Sequence, residues 1–112
     1  MVVSKTDLFE EVLQERAYLF KALAHPARLH ILQFLSQTKT CISCDISEEL
    51  PLSRTTVKQH LKELKNVGLI RGTVEGAKTN YCLDYVKLQE MKKIMTSFWD
   101  EIEFPKNFIC KK

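Results

Sequence analysis

The stretch DISEELPLSRTTVKQHLKELKNVGL, residues 45–69, decides the fold: its spacing predicts two short helices with a tight joint. The first carries Ile46, Glu49 and Leu50 through about one and a half turns. Pro51 stops it, because a proline ring cannot continue the helical hydrogen-bond ladder. Ser53 opens the second helix, where a hydroxyl can accept from an orphan backbone N–H of the first turn, and Gly68 stands where a left-handed closing residue is wanted. Val57, Leu61 and Leu64 recur at i, i+4 and i+7, a stripe that must face a core. The opposite face carries Thr55, Lys58, Gln59, Lys62 and Asn66, with Glu63 at its margin.

A solvated exterior helix ordinarily mixes both signs of charge. A helix that enters the major groove needs cations for phosphate and amides or hydroxyls for base edges, which is the composition found here. The expected duplex-contacting residues are Ser53, Arg54, Thr55, Lys58, Gln59 and Lys62. Beyond them, Ile70, Gly72 and Val74 alternate with Arg71 and Thr73, the segment 75–78 turns, and Thr79 to Leu83 returns. A hairpin directly after a reading helix is a wing, and it adds Arg71 and Lys78 as backbone or minor-groove contacts. The wing must pack on the helical body, since a lone two-stranded ribbon is marginal in water.

Charge distribution agrees. The chain has 112 residues and a formal net charge of +3, but residues 53–79 hold Arg54, Lys58, Lys62, Lys65, Arg71 and Lys78 against only Glu63 and Glu75. That is a local +4, against −2 for residues 1–52 and +1 for residues 80–112, and it is the footprint of a phosphate-binding surface. The length suits one domain over residues 1–112. No apolar run approaches the ~18 residues of a membrane span and no charged-then-apolar leader is present, so the expected setting is the cytoplasm, with no membrane partner.

Residues 7–24, DLFEEVLQERAYLFKALA, read as a first helix with Leu8, Val12 and Leu19 on one line and Phe9, Leu13 and Phe20 beside it. Pro26 sits in the first turn of a second helix, to which Leu29, Leu32 and Leu35 give a buried side. His25 and His30 flank that start; without a third ligand in register, capping or packing outweighs metal binding. The last helix, Tyr85 to Glu103, carries Met91, Ile94, Met95, Phe98 and Ile102 as a core stripe with Trp99 adjoining, before Pro105. The expected architecture is therefore mainly α with a small β-hairpin: five helices plus wing, with the helix-turn-helix over 45–68 and the wing over 69–84. The terminal helices, within 1–24 and 85–104, carry wider apolar faces than a body of this size can cover. They are expected to pair across a two-fold axis, giving a homodimer. Two reading helices would then lie on the order of 34 Å apart and require an inverted-repeat operator.

In this order of elements the sequence resembles the ArsR-type winged-helix repressors. The resemblance rests on FKALAHPARLHILQFL, CDISEELPLSRTTVKQHLKELKNVGLI and the wing ending NYCLD, which span about two-thirds of the chain, residues 18–84. Within them His25-Pro26-x-Arg28, Ser53-x-x-Thr56-x-x-His60-Leu61 and Gly68-Leu69-Ile70 stand in the family's order. The resemblance implies a dimeric transcriptional repressor, not an enzyme, that leaves its operator when an inducer arrives; His60 in this pattern is a packing residue.

Four cysteines stand at 41, 44, 82 and 110 and are expected to be reduced in the cytoplasm. Cys41-x-x-Cys44 abuts the helix-turn-helix, where helix-terminal amides favour the thiolate that binds soft metals or reacts with oxidants. Arsenic-responsive members of the family have Cys-x-Cys before Asp and a further Cys three residues on. Here Cys44-Asp45 matches, but the partner is Cys41 and Ser47 replaces the extra thiol, so arsenite or another thiophilic metal would need Cys110 or Cys82 to complete its ligands. The family's zinc-type site needs histidine on the last helix, which has none. Three readings stay open for Cys41 and Cys44: metal or metalloid sensing with Cys110, reversible thiol oxidation, or no sensory role. Cys82, in a wing strand, reads as a small packing residue. The competing functional class is a winged-helix module for protein contacts, without an inducer site.

Overall fold

The computed structural model describes residues 8–38, 50–75 and 78–102. The elements run α1 (Glu11–Leu23), α2 (Pro26–Thr38), α3 (Arg54–Asn66), β1 (Ile70–Glu75), β2 (Lys78–Leu83) and α4 (Tyr85–Glu101). Four helices thus stand among the described residues against the five expected. The remaining one, the first helix of the 45–68 motif, lies outside them up to position 49.

Each helix that positions the site is delimited by local chemistry. Ser53 caps α3, its Oγ accepting from Thr56 N–H at 3.3 Å. At the other end Gly68 has φ +82°, and the Gly68 and Leu69 amides donate to the carbonyls of Lys65 and Leu64 at 2.9 and 3.1 Å. This is the paired 5→2 and 6→1 closure of a Schellman motif, which needs a residue without Cβ strain at positive φ. A Cβ there would meet Lys87 Cγ at an ordinary 3.4 Å. Gly68→Ala is therefore expected to cost the backbone strain alone, about 1–2 kcal/mol, read as a lower urea midpoint with unchanged m-value.

The hairpin pairs β1 with β2 antiparallel, from Ile70↔Leu83 at the base to Glu75↔Lys78 at the tip. The turn is tighter than the segment 75–78 expected from the sequence, because Glu75 and Lys78 belong to the ladder. Asp84 N–H donates to Leu69 O at 3.0 Å to close the base, and Asp84 Oδ1 caps α4 by accepting from Lys87 N–H at 3.1 Å.

The core gathers Leu19 and Ala22 of α1, Ile31 and Leu35 of α2, Val57, Leu61 and Leu64 of α3, Leu69, Ile70 and Leu83 of the wing base, and Met91 of α4. Ile31, Leu64, Leu69 and Ile70 are fully buried. Helix α2 turns Ala27, Ile31 and Leu35 inward, not Leu29, Leu32 and Leu35; Leu29 is exposed and Leu32 half-buried. The spacing of the leucines matches a helix face, but the face that joins the core cluster with Leu61 and Leu64 is the one carrying Ile31 and Leu35.

The terminal helices depart further from expectation. Helix α1 starts at Glu11, four residues after Asp7, and Glu10 has ψ 145°, outside the helical region. Leu8 and Phe9 are exposed, so no packing draws them into the helix. Helix α4 ends at Glu101, two residues before the expected Glu103. Of its stripe only Met91 is buried; Ile94 and Phe98 are half-buried, while Met95, Trp99 and Ile102 are exposed. Within one chain, α1 and α4 are held by Arg16, whose guanidinium donates to both carboxylate oxygens of Glu101 at 2.6 and 2.9 Å and lies 5.9 Å from the Phe98 ring centre. Phe20 meets Phe98 edge-on at 5.6 Å. No described helix is long and apolar enough to cross a membrane.

Candidate nucleic-acid interface

Helix α3 separates its residues by face. Val57, His60, Leu61 and Leu64 are buried, whereas Thr55, Lys58, Gln59, Lys62 and Asn66 are exposed on the opposite side. Thirteen residues span about 20 Å of helix. That is sufficient to lie along a B-form major groove some 12 Å wide. Ser53 and Arg54 are exposed at the N-terminal end, the end that carries the positive pole of the helix dipole. The Ser53 hydroxyl is committed to Thr56, both to its N–H and, at 3.0 Å, to its Oγ1. Gln59 Nε2 donates to Glu63 Oε1 at 3.2 Å, so its amide must leave that partner before reading a base.

Next to this face stands the wing. Arg71 is exposed, with its Nε 3.9 Å from Asp84 Oδ2, a separation that leaves the cation solvated. Lys78 enters the ladder opposite Glu75 at the tip; its side chain lies outside the described residues. Lys65, absent from the expected contact set, reaches the wing: its Nζ lies 3.6 Å from where a Cβ on Gly72 would stand. Only the tertiary approach of α3 to β1 shows this, since periodicity alone leaves Lys65 on a shoulder of the helix.

Behind the face lies a polar cluster that sequence reasoning treated as packing. His60 is 7% exposed, and its Nδ1 accepts from Arg28 Nε at 3.1 Å. Arg28 Nη1 also donates to the carbonyls of Lys21 and Ala22, at 3.3 and 3.2 Å, at the end of α1. The His25 ring stacks at a tilt on that of His60, centroids 4.2 Å apart. Its Nδ1 accepts from Ala27 N–H at 3.0 Å, while its carbonyl accepts from the Arg28 and Leu29 amides, so His25 caps α2. Both Nδ1 atoms are acceptors, which puts the neutral-ring proton of each histidine on Nε2. Neither ring is then set up to ligate a metal through that nitrogen. Among the described residues no three His, Cys, Asp or Glu side chains converge as a metal site.

Burial pushes the His60 pKa below its ordinary value, with the positive charge of His25 and Arg28 adding to the effect and Glu63 opposing it. The unfolded chain takes up a proton near pH 6.5 that folded His60 resists. Its contribution to stability is therefore intact above that pH and falls as the solution is acidified below it.

The cysteine expectations divide. Cys41, Cys44 and Cys110 lie outside the described residues. Cys82 is half-buried on β2, directly across the ladder from Arg71, and is disulfide-bonded, against its expected reduced state. Alternation in a strand marks which face a side chain takes, and carries no information about a distant thiol.

An exposed cationic helix, closed by a Schellman turn and followed at once by a two-stranded ribbon, defines the winged-helix class. Residues 25–71 match the model of the bacterial regulatory protein arsR family. The chain is 31% identical over 85 residues to an HTH-type transcriptional regulator of Methanocaldococcus jannaschii, covering 76% of this chain and 96% of that one. It is 36% identical over 75 residues to the arsenical resistance operon repressor of Bacillus subtilis, covering 66% and 70%. Among solved structures it is similar to an ArsR-like transcriptional regulator from Rhodococcus sp. RHA1, with 25% identity, a TM-score of 0.64, and coverage of 82% of this chain and 89% of that one. The chain belongs to the arsR family, whose members are transcriptional regulators and not enzymes.

Proposed function

We propose that the chain is a homodimeric repressor of the cytoplasm that binds an inverted-repeat operator in duplex DNA. The observation that carries this reading is the exposed face of α3, with Thr55, Lys58, Gln59 and Lys62 unobstructed beside a basic wing. Ser53 and Arg54 approach the backbone from the helix N-terminus, Lys58 and Lys62 neutralise phosphates, Thr55 and Gln59 address base edges, and Arg71 and Lys78 hold the flanking strand. Val12 on α1, Trp99 on α4 and Ile102 at the end of α4, all exposed, supply the apolar surface for the two-fold contact.

Release from the operator is assigned to the thiols. A thiophilic metal or metalloid such as arsenite on Cys41, Cys44 and Cys110 is one route, in keeping with the similar Bacillus subtilis protein being an arsenical resistance operon repressor. Reversible oxidation is the second, and the disulfide at Cys82 favours it. A coupling that weakens operator binding about 5- to 150-fold suffices for either.

The test is fluorescence anisotropy with a promoter duplex at fixed salt, repeated with arsenite, zinc and a mild oxidant. The wild-type chain is compared with the Cys41→Ser/Cys44→Ser pair. Tight binding that weakens steeply as salt rises supports DNA recognition. Binding with no dependence on salt favours the protein-contact module. An inducer response that survives both serines removes Cys41 and Cys44 from the sensor.

A further inference from the structure

We propose that Arg28, His60 and His25 form a proton-sensitive latch that sets α3 against α1, and that acidification releases α3 and weakens operator binding. The proposal rests on the DNA-binding reading for its consequence, though not for its geometry. One guanidinium ties three helices together. From the first turn of α2, Arg28 donates through Nη1 to the Lys21 and Ala22 carbonyls at the end of α1, and through Nε to His60 Nδ1 on α3. The Ala22 carbonyl would look for its helical donor at position 26, where Pro26 has no N–H, while Lys21 O accepts from Ala24 N–H at 3.1 Å as well. The reading helix is thereby linked to the helix that carries the exposed apolar surface.

The link works only while His60 Nδ1 is an acceptor. A proton there turns the contact with Arg28 Nε into two opposed donors and places an imidazolium beside a guanidinium that is always charged. The neighbours offer little relief. The His25 ring, at 4.2 Å between ring centres, brings no negative charge to offset a proton on His60. Arg28 and Glu63 line a groove of about 270 Å³ together with Lys21 and Tyr18 of α1. Glu63 is the one carboxylate in that lining, and it already accepts from Gln59. Among the described residues, then, the Arg28 guanidinium and the His25 ring face His60 against a single shared carboxylate, Glu63. Protonation must displace Arg28 or move α3, and either uncouples the reading helix from α1.

The sign of the effect is diagnostic. Added positive charge on a DNA-binding surface ordinarily tightens duplex binding, whereas the latch predicts that acid loosens it.

The experiment uses the full chain and a fluorescein-labelled duplex selected by it from a random-sequence pool at about pH 8. Between about pH 8 and pH 5.5, at constant ionic strength, the wild type is expected to lose at least about fivefold in affinity. The variant His60→Gln keeps a side-chain oxygen for Arg28 but has no proton to gain, and its affinity is expected to stay flat. Identical profiles for the two chains overturn the proposal. Long-range ¹H–¹⁵N spectra of the wild type without DNA test the latch separately: His60 must show an unprotonated Nδ1 at neutral pH and titrate below the ordinary histidine value of about 6.5. If His60 carries its proton on Nδ1, or titrates at or above about 6.5, the latch is refuted even if His60→Gln fails to fold. If no duplex is selected, the DNA reading fails while the spectra still decide the latch.

Discussion

Replacing Lys58 and Lys62 together by alanine is expected to reduce duplex affinity on the order of a thousandfold at 0.1 M salt, with the fold intact. Both side chains are exposed on α3, and alanine is the better helix former, so thermal unfolding should be unchanged. Each lysine that neutralises a phosphate releases counterions worth about 0.9 in the slope of log affinity against log salt. A dimer presents the pair twice, so the slope should become shallower by between three and four, roughly 0.9 for each of the lost contacts. A change of about half that size would indicate that one subunit alone engages the duplex. An unaltered slope and affinity would show that this face does not meet DNA. Because phosphate contacts carry no sequence information, preference among operator variants should survive the change; Gln59→Ala, by contrast, should relax it by about 1–3 kcal/mol at one base pair.

Leu64→Ala should produce the largest loss of stability, about 2–5 kcal/mol by urea unfolding at fixed protein concentration. Leu64 is fully buried, in the cluster that α1, α2, α3 and the wing base build together. The site has little room to collapse, since Ile31, Leu69 and Ile70 in the same cluster are themselves fully buried. Against a typical domain stability of about 5–15 kcal/mol, that loss leaves a visible unfolded population at growth temperature. A shift below about 1 kcal/mol would mean that the core is not organised around α3. The two variants separate the two faces of one helix: the lysines change binding without stability, and the leucine changes stability before binding.

Several elements were legible because their determinants are local. The cap at Ser53, the positive φ at Gly68, the stripe of Val57, Leu61 and Leu64, and the alternation from Ile70 to Val74 depend on neighbours within a few residues. Each appears where the sequence placed it. The exposed polar face of α3 follows from the same periodicity, since a helix that buries one side presents the other. His25 as the cap of α2 was likewise one of the readings its position allowed.

What the sequence determined by itself is therefore the set of elements around α3, the concentration of positive charge on it, and the family motifs it carries. The tertiary structure decided which apolar faces are covered, turning Ala27 and Ile31 inward and leaving Leu8, Phe9 and Trp99 outside. It also brought Arg28 to His60 across 32 residues. The physical reason is common to these cases. Periodicity records that a face is apolar or that a polar group is present, whereas burial, pairing and protonation depend on which segment of the folded chain arrives opposite.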